Sequence, residues 1–271
     1  MPVPFPSAVP AFRSRIGRDA DSGYPAVPHR YRLHLVRTDP PCRWLAVTHA
    51  LLGLDEILPT DILPDLPDAP DGGYRALRPL YEAGAHRHPG PARPPALSDG
   101  WTGRIVSTDP YAIACDLARR FDRTGADLLP AGTETAVAAI DRLSARGIES
   151  AAGQAATAAD PAVRAAALRT LLHSLDTVER RLAEGRGLLD GPLTLADVRL
   201  WAALHQLDTV HLRGLGSAAA QQVADHPRTW GYTRGLAAHP AFARHVDPPA
   251  ALPDPAPHRT ADADVPVRLA G

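Results

Sequence analysis

The order of secondary-structure signals constrains this chain most. Over the first 125 residues strand patterns alternate with capped helices, and from Glu134 onward the pattern is helical alone. Tyr31-Arg-Leu-His-Leu-Val36 alternates with a period of two and predicts a strand. A helix follows, with Asp39 as N-cap, Pro40 as first helical residue and Gly53 as C-cap. A second strand is predicted over 56–63. Residues 64–94 carry many Pro, Gly and His and read as a long loop with one short helix over 74–83. Pro95-Ala-Leu-Ser98 and Gly103-Arg-Ile-Val-Ser107 predict two short strands joined by a turn at Asp99-Gly100. Asp109-Pro110 then caps a helix running to about Phe121. In the second half, Asp160-Pro161 opens a long helix whose Val163, Ala167, Leu171, Leu175, Val178 and Leu182 form one apolar stripe. Thr194-x-x-Asp197 has the form of another helix start, and further helices are predicted over 218–224 and 229–238. The order β-α-β, β-β-α, then helix only implies an α/β domain with a small mixed sheet, followed by an all-α domain. The expected organisation is an extended arm over 1–30, a mixed domain over 31–125, a helical domain over 130–246, and a disordered tail over 247–271.

Composition removes several classes of function. The net charge is −1, so no basic surplus points to nucleic acid or an anionic membrane surface. No apolar run approaches the roughly 20 residues needed to span a bilayer. Met1-Pro-Val-Pro-Phe-Pro has neither the basic region nor the uninterrupted apolar segment of a signal peptide. All 29 basic residues are Arg, which excludes a Schiff-base lysine and a P-loop lysine. The 2 cysteines, Cys42 and Cys115, are too few for a disulfide scaffold and suit a reducing, cytoplasmic compartment. His86 and His88 stand without a Cys partner or acid cluster, so no metal site is expected. Hydrolase, zinc-protease and Rossmann signatures are absent from the sequence.

Four segments resemble the glutathione transferase superfamily, in particular its xi class, the glutathionyl-hydroquinone reductases. They are Tyr24-Pro-Ala-Val-Pro-His-Arg-Tyr-Arg-Leu-His-Leu, the gapless Pro94–Pro110 stretch, Leu193-Thr-Leu-Ala-Asp-Val-Arg-Leu-Trp with Leu207-Asp-Thr-Val, and Trp230-Gly-Tyr-Thr-Arg-Gly-Leu. The resemblance runs from about Phe12 to His245. It implies a thioredoxin-like N-terminal domain, an all-helical C-terminal domain, a homodimer, and a small-molecule substrate between the domains.

Enzymes similar to this class use a cysteine at the N-terminus of the first helix, where the helix dipole favours a thiolate. Carried over without gaps, the family's Cys-Pro-Trp-Ala falls on Asp39-Pro40-Pro41-Cys42, so the nucleophile position holds Asp39. The residue before the family's cis-proline clamps glutathione through its backbone. Here it is Pro94, before the candidate cis-Pro95, and it has no N–H. The family's Glu-Ser pair, which holds the γ-glutamyl end, becomes Asp109-Pro110, losing a hydroxyl and an N–H. Each lost hydrogen bond to a charged ligand group costs roughly 1.5–3 kcal/mol. The resemblance therefore implies that glutathione, or another low-molecular-weight thiol, is held weakly. No cofactor is expected, and the class's reductase activity is expected to be lost. Tyrosines that the class places near the hydroquinone are replaced by small residues around Ala152-Gly153 and at Ala237, while Tyr232 keeps its place.

Several residues admit two readings. Asp39 is either a proton-transfer group or only an N-cap before proline. Cys42 is either a displaced nucleophile or the less exposed second-cysteine position of a Cys-x-x-Cys motif, inside the first turn. Arg43 is a candidate anion holder, and Trp101 either lines the cleft or covers the sheet edge. The expected function is an enzyme of xi-class descent, repurposed for a small aromatic or quinone-like substrate, for instance as a tailoring step in secondary metabolism. The candidate site comprises Asp39, Cys42, Arg43, Pro94, Pro95, Trp101, Asp109 and Tyr232. The alternatives are a thiol-dependent transferase using Cys42 or bound glutathione, and a non-catalytic binding or interaction protein.

Overall fold

The structure is a computed structural model that describes residues 12–17, 23–85, 88–185 and 187–246. It divides into two compact units between Asp127 and Leu128. His86 and the tail at 247–271 lie outside the described residues.

The first unit is thioredoxin-like. Its strands are β1 (Tyr31–Leu35), β2 (Thr60–Ile62), β3 (Ala96–Asp99) and β4 (Arg104–Ser107), in the order β2-β1-β3-β4. β1 is parallel to β2 and antiparallel to β3, and β3 is antiparallel to β4. Leu33 and Leu35 of β1 are buried. Helix α1 (Pro40–Leu51) buries Trp44, Leu45 and Val47, and it packs against α3 (Pro110–Arg120). Each fully buried apolar side chain contributes about 1.5–3 kcal/mol. Gly53 takes φ +62° just beyond α1, the left-handed conformation that ends helices, as its place in the sequence predicts.

Three expectations for this unit need correction. The second strand is only Thr60–Ile62, because residues before Pro59 continue a helical turn in which Leu58 N–H donates to the Leu54 carbonyl. The short helix α2 is Arg78–Gly84 and begins one turn later than expected, with Pro79 in its first turn. Residues 12–17, expected in a separate arm, belong to the sheet edge. Arg13 bridges to Ser107, Ser14 N–H donates to the Val106 carbonyl, and Ile16 is buried.

The second unit is helical. Helix α4 (Glu134–Arg142) runs through a π-helical stretch (Leu143–Ser150) into α5 (Ala151–Thr157). Gly147 lies so close to α6 (Pro161–Ala183) that a Cβ there would sit 2.2 Å from Ser174 Oγ. The predicted α6 stripe is buried from Ala167 to Leu182, but Val163 is 41% exposed because the first turn extends past the packed surface. Helix α7 (Leu195–Gln206) is buried on nearly every side and forms the centre of this unit. Its start is a capping box: Thr194 and Asp197 exchange backbone and side-chain hydrogen bonds, as the Thr-x-x-Asp spacing predicts. Arg199 of α7 binds Glu149 through two nitrogens, at 2.6 and 2.7 Å, and Asp141 at 2.9 Å. Helices α8 (Ser217–Ala224), α9 (Pro227–Ala237) and α10 (Pro240–Ala243) complete the unit. Among the described residues no helix is long and apolar enough to cross a membrane.

Candidate functional site

Strand register gathers part of the predicted site at one end of the sheet. His34 pairs with Ala96, so Pro95 lies beside the exit of β1, from which the chain runs to Asp39. Leu97 pairs with Ser107, which returns β4 to the same end two residues before Asp109. The Pro94–Pro95 bond is cis, as the resemblance implies. Asp39, Cys42, Pro94, Pro95 and Asp109 therefore share this end of the first unit.

Asp39 and Asp109 occupy the same local frame but do different work. Both precede a proline at the start of a helix, with φ, ψ of −88°, 122° and −91°, 110°. Asp109 Oδ1 accepts from the Ala112 N–H at 3.0 Å, a true N-cap. Asp160, before Pro161, likewise accepts from Ala162 at 2.8 Å. The Asp39 side chain makes no cap hydrogen bond. Its carboxylate instead engages the Cys42 thiol, one turn into α1.

Cys42 is 0% exposed. Burial pushes its thiol far above the ordinary range, and the Asp39 charge and hydrogen bond push it further against a hydrogen bond with the Val36 backbone. Cys42 is thus a protonated, enclosed thiol at neutral pH. Cys115 is also buried, in α3.

Two tyrosines that sequence reasoning did not single out belong to this end. Burial raises the Tyr74 phenol, and the Asp39 charge raises it further, so Tyr74 keeps its proton. Tyr74 N–H donates to the Ala92 carbonyl at 2.8 Å, and Tyr81 Oη donates to the Arg93 carbonyl at 2.5 Å. These bonds fasten the loop to the stretch before the cis bond. Burial pushes Tyr81 up to about 12. The available signal was a pair of tyrosines in a stretch otherwise rich in Gly and Pro.

Two candidates lie elsewhere. Trp101 sits in the β3–β4 turn, beside Asp99, and Asp99 pairs with Tyr31 at the entry of β1. That is the opposite end of the sheet, roughly 13 Å away over the four residues of β3. Trp101 is 68% exposed and its ring covers the Arg30 guanidinium at 4.6 Å, so it is corrected from a substrate contact to a cover of the sheet end. Tyr232 of α9 is 5% exposed and donates its hydroxyl to Asp197 of the α7 capping box. Burial raises both groups, so the phenol keeps its proton and ties α9 to α7; Tyr232 is corrected to a core position. Arg43, next to Cys42 in α1, does stay at this end; it is buried, with Nη2 near the Arg37 carbonyl at 3.4 Å.

Residues 161–247 match the family described as the glutathione S-transferase C-terminal domain. The glutathionyl-hydroquinone reductase PcpF of Sphingobium chlorophenolicum is 26% identical over 251 residues, which cover 84% of this chain and 78% of that protein. A glutathione transferase from Gordonia bronchialis superposes with a TM-score of 0.75 at 26% identity, covering 86% of this chain and 77% of that one. A xi-class glutathione transferase from Natrialba magadii gives 0.77 at 23% identity, covering 87% and 79%. Residues 161–247 thus carry a glutathione S-transferase C-terminal domain, and over most of its length the chain is similar to glutathione transferases. In this transferase-like chain, the acceptors gathered at the sheet end are the Asp39 carboxylate and the Pro94 carbonyl. Donors are fewer, because Pro94 and Pro110 lack N–H groups.

Proposed function

We propose that the chain is a glutathione-transferase-like enzyme acting on a small aromatic or quinone-like molecule without a thiolate of its own. One observation carries this reading: Asp39 has the backbone of an N-cap but does not use its side chain as one. The carboxylate stands where the family places its nucleophile, beside a thiol that burial keeps protonated. Asp39 accepts a proton from the substrate's hydroxyl, and Tyr74 donates a hydrogen bond to the opposite oxygen. Glutathione does not fit as the family would hold it. Pro94 offers only a carbonyl, Pro110 offers no N–H, and the Asp109 carboxylate is engaged by Ala112. No step is therefore assigned to it.

The experiment is turnover of a hydroquinone and quinone panel by the whole chain and two variants. Asp39→Asn is expected to lower kcat by about 10²–10⁴-fold, the range for loss of a general base. Cys42→Ala is expected to retain activity. Loss of activity in Cys42→Ala, with Asp39→Asn unaffected, would overturn the reading in favour of a cysteine-dependent transferase. Micromolar binding of glutathione by calorimetry would overturn the claim about the thiol site.

A further inference from the structure

Phe12 opens the segment that closes the sheet edge, and it holds both chain stretches that carry the site described above. One hold is through the backbone. The Phe12 carbonyl accepts the Thr108 N–H at 3.1 Å, one residue before Asp109. The pairing continues at the Arg13–Ser107 bridge and at the Ser14 N–H, which donates to the Val106 carbonyl at 3.0 Å. The other hold is through the ring. Phe12 meets the Tyr81 ring edge-on, with centroids 5.1 Å apart and planes at 88°. The Tyr81 hydroxyl donates to the Arg93 carbonyl, immediately before Pro94.

His88 completes the group. Its ring centroid lies 5.8 Å from that of Phe12 and 5.0 Å from that of Tyr81, so each of the three rings touches the other two. Burial and the Arg78 charge lower the His88 imidazole, so it packs as a neutral ring. His88 and Arg93 both belong to the stretch between α2 and the cis bond, which has neither helix nor strand among its described residues. Its position therefore depends on contacts such as these. The seat of the ring is specific. Gly84 ends α2, and a Cβ there would stand 2.7 Å from Phe12 Cε1. Tyr81 is buried, but Phe12 is only half-buried. Phe12 is thus a clip laid across two stretches rather than a filler of the core.

We propose that Phe12 is a positioning residue of the site at the sheet end: its backbone fixes Thr108 beside Asp109, and its ring fixes Tyr81 and through it the Arg93–Pro94 stretch. The distance between the Pro94 carbonyl and Asp109 is then set from outside the site by one side chain. The inference rests on the reading that substrate binds at this end. Phe12 itself meets no reacting group, and Asp39 lies on α1 and not on either clipped stretch. Loosening the clip therefore weakens substrate binding more than proton transfer, which separates Phe12 from Asp39 in the kinetics.

The test combines steady-state kinetics of the full chain on the hydroquinone and quinone panel with amide hydrogen exchange. Phe12→Leu keeps the backbone bonds of the segment and loses the ring. It is expected to raise KM about 2–10-fold, the worth of one aromatic pair, and to leave kcat within about twofold. Tyr81→Phe keeps the ring and loses the hydroxyl, with a rise in KM of the same order. The double variant is expected to do no more than the larger single change, because both act on Arg93 through one link. Phe12→Tyr is expected to match the parent. The Tyr74 and His88 amides, which donate to the Ala92 carbonyl at 2.8 Å and the Ala85 carbonyl at 3.1 Å, are expected to exchange about 2–10-fold faster in Phe12→Leu. Ile16→Val, a small change in the same segment that leaves the three rings in place, is expected to alter neither KM nor these amides. The proposal is overturned if Phe12→Leu leaves both amides unchanged, if it lowers kcat instead of raising KM, or if Ile16→Val reproduces its effects. A parent chain that turns over none of the panel would sink the function proposed above, and the two amides would then decide the role of Phe12 alone.

Discussion

The starts of α1 and α3 present one sequence signal with two outcomes. Each reads Asp-Pro, each sets its aspartate in extended backbone, and each opens a helix over a buried face. At α3 the carboxylate accepts a backbone N–H and closes the helix end. At α1 the carboxylate turns to the Cys42 thiol and leaves the cap bond unmade. The backbone of a helix start is therefore set by proline's fixed φ and by packing below. What the capping side chain does is a separate matter, and it is where function can be placed.

The largest expected effect sets a ceiling for what a fully engaged aspartate does in this unit. Asp99 accepts from Arg30 Nε and Nη2, at 2.9 and 2.8 Å, from the Trp101 N–H and from the Thr102 hydroxyl. Burial alone would raise its carboxyl, but these donors outweigh it and hold it below the ordinary carboxylate value. Asp99→Ala leaves the Arg30 charge buried and unpaired, and is expected to cost about 3–5 kcal/mol in urea unfolding. A loss below about 1 kcal/mol would show that Trp101 and the neighbouring tyrosines alone hold Arg30.

Acid should separate these groups in sequence. His34 sits between Ser98 Oγ at 2.8 Å and Asp61 Oδ2 at 3.2 Å, and His49 Nε2 donates to the Leu58 carbonyl at 2.6 Å. Burial lowers both imidazoles below 6.5, despite nearby carboxylates, so the fold holds them neutral. The unfolded chain binds those protons first. Stability is thus complete above about pH 6.5 and falls as pH drops from there toward the folded values. The Asp99 contribution persists to lower pH and is lost only as pH falls below about 4 toward its depressed value. Unfolding free energy measured from pH 8 to 3 is expected to decline in these two steps. A flat profile between pH 7 and 5 would contradict the neutral burial of His34 and His49.

The fold was legible because its signals are local and redundant. Asp-Pro starts, Gly53, the Thr194–Asp197 box and the α6 stripe each report on a few adjacent residues, and all point the same way. The site was legible only where it rides on those signals. Asp39, Cys42, Pro94–Pro95 and Asp109 fall together because strand register follows from the strands themselves. Trp101 was misplaced because a hairpin turn and a sheet's active end are adjacent in sequence but separated by the length of β3. Tyr232 was misplaced because a retained aromatic in a motif does not say whether its hydroxyl meets a ligand or the Asp197 carboxylate. Tyr74 and Tyr81 were missed because nothing local marks them as site residues: they are fastened by hydrogen bonds to residues 12 to 18 positions away.

A direct comparison of the two caps comes next in size. Asp109→Ala removes the side-chain acceptor at Ala112 and is expected to cost about 1 kcal/mol, the usual value of a lost N-cap.

The smallest expected effect is the most informative. Asp39→Ala removes no cap bond, and it also removes a negative charge from beside a buried thiol. Its stability cost is expected to fall below that of Asp109→Ala, because no cap hydrogen bond is lost. The thiol should respond in a definite direction. Burial is the first cause of its raised value and persists in the variant, while the contribution of Asp39 disappears. Cys42 labelling by a disulfide reagent at pH 8 is therefore expected to become somewhat faster than in the parent yet remain slower than for an open cysteine. If Asp39→Ala instead costs as much as Asp109→Ala, with labelling unchanged, then Asp39 is a second N-cap in solution. The two helix starts would then do the same work, and the carboxylate at the family's nucleophile position would have no claim to a separate function.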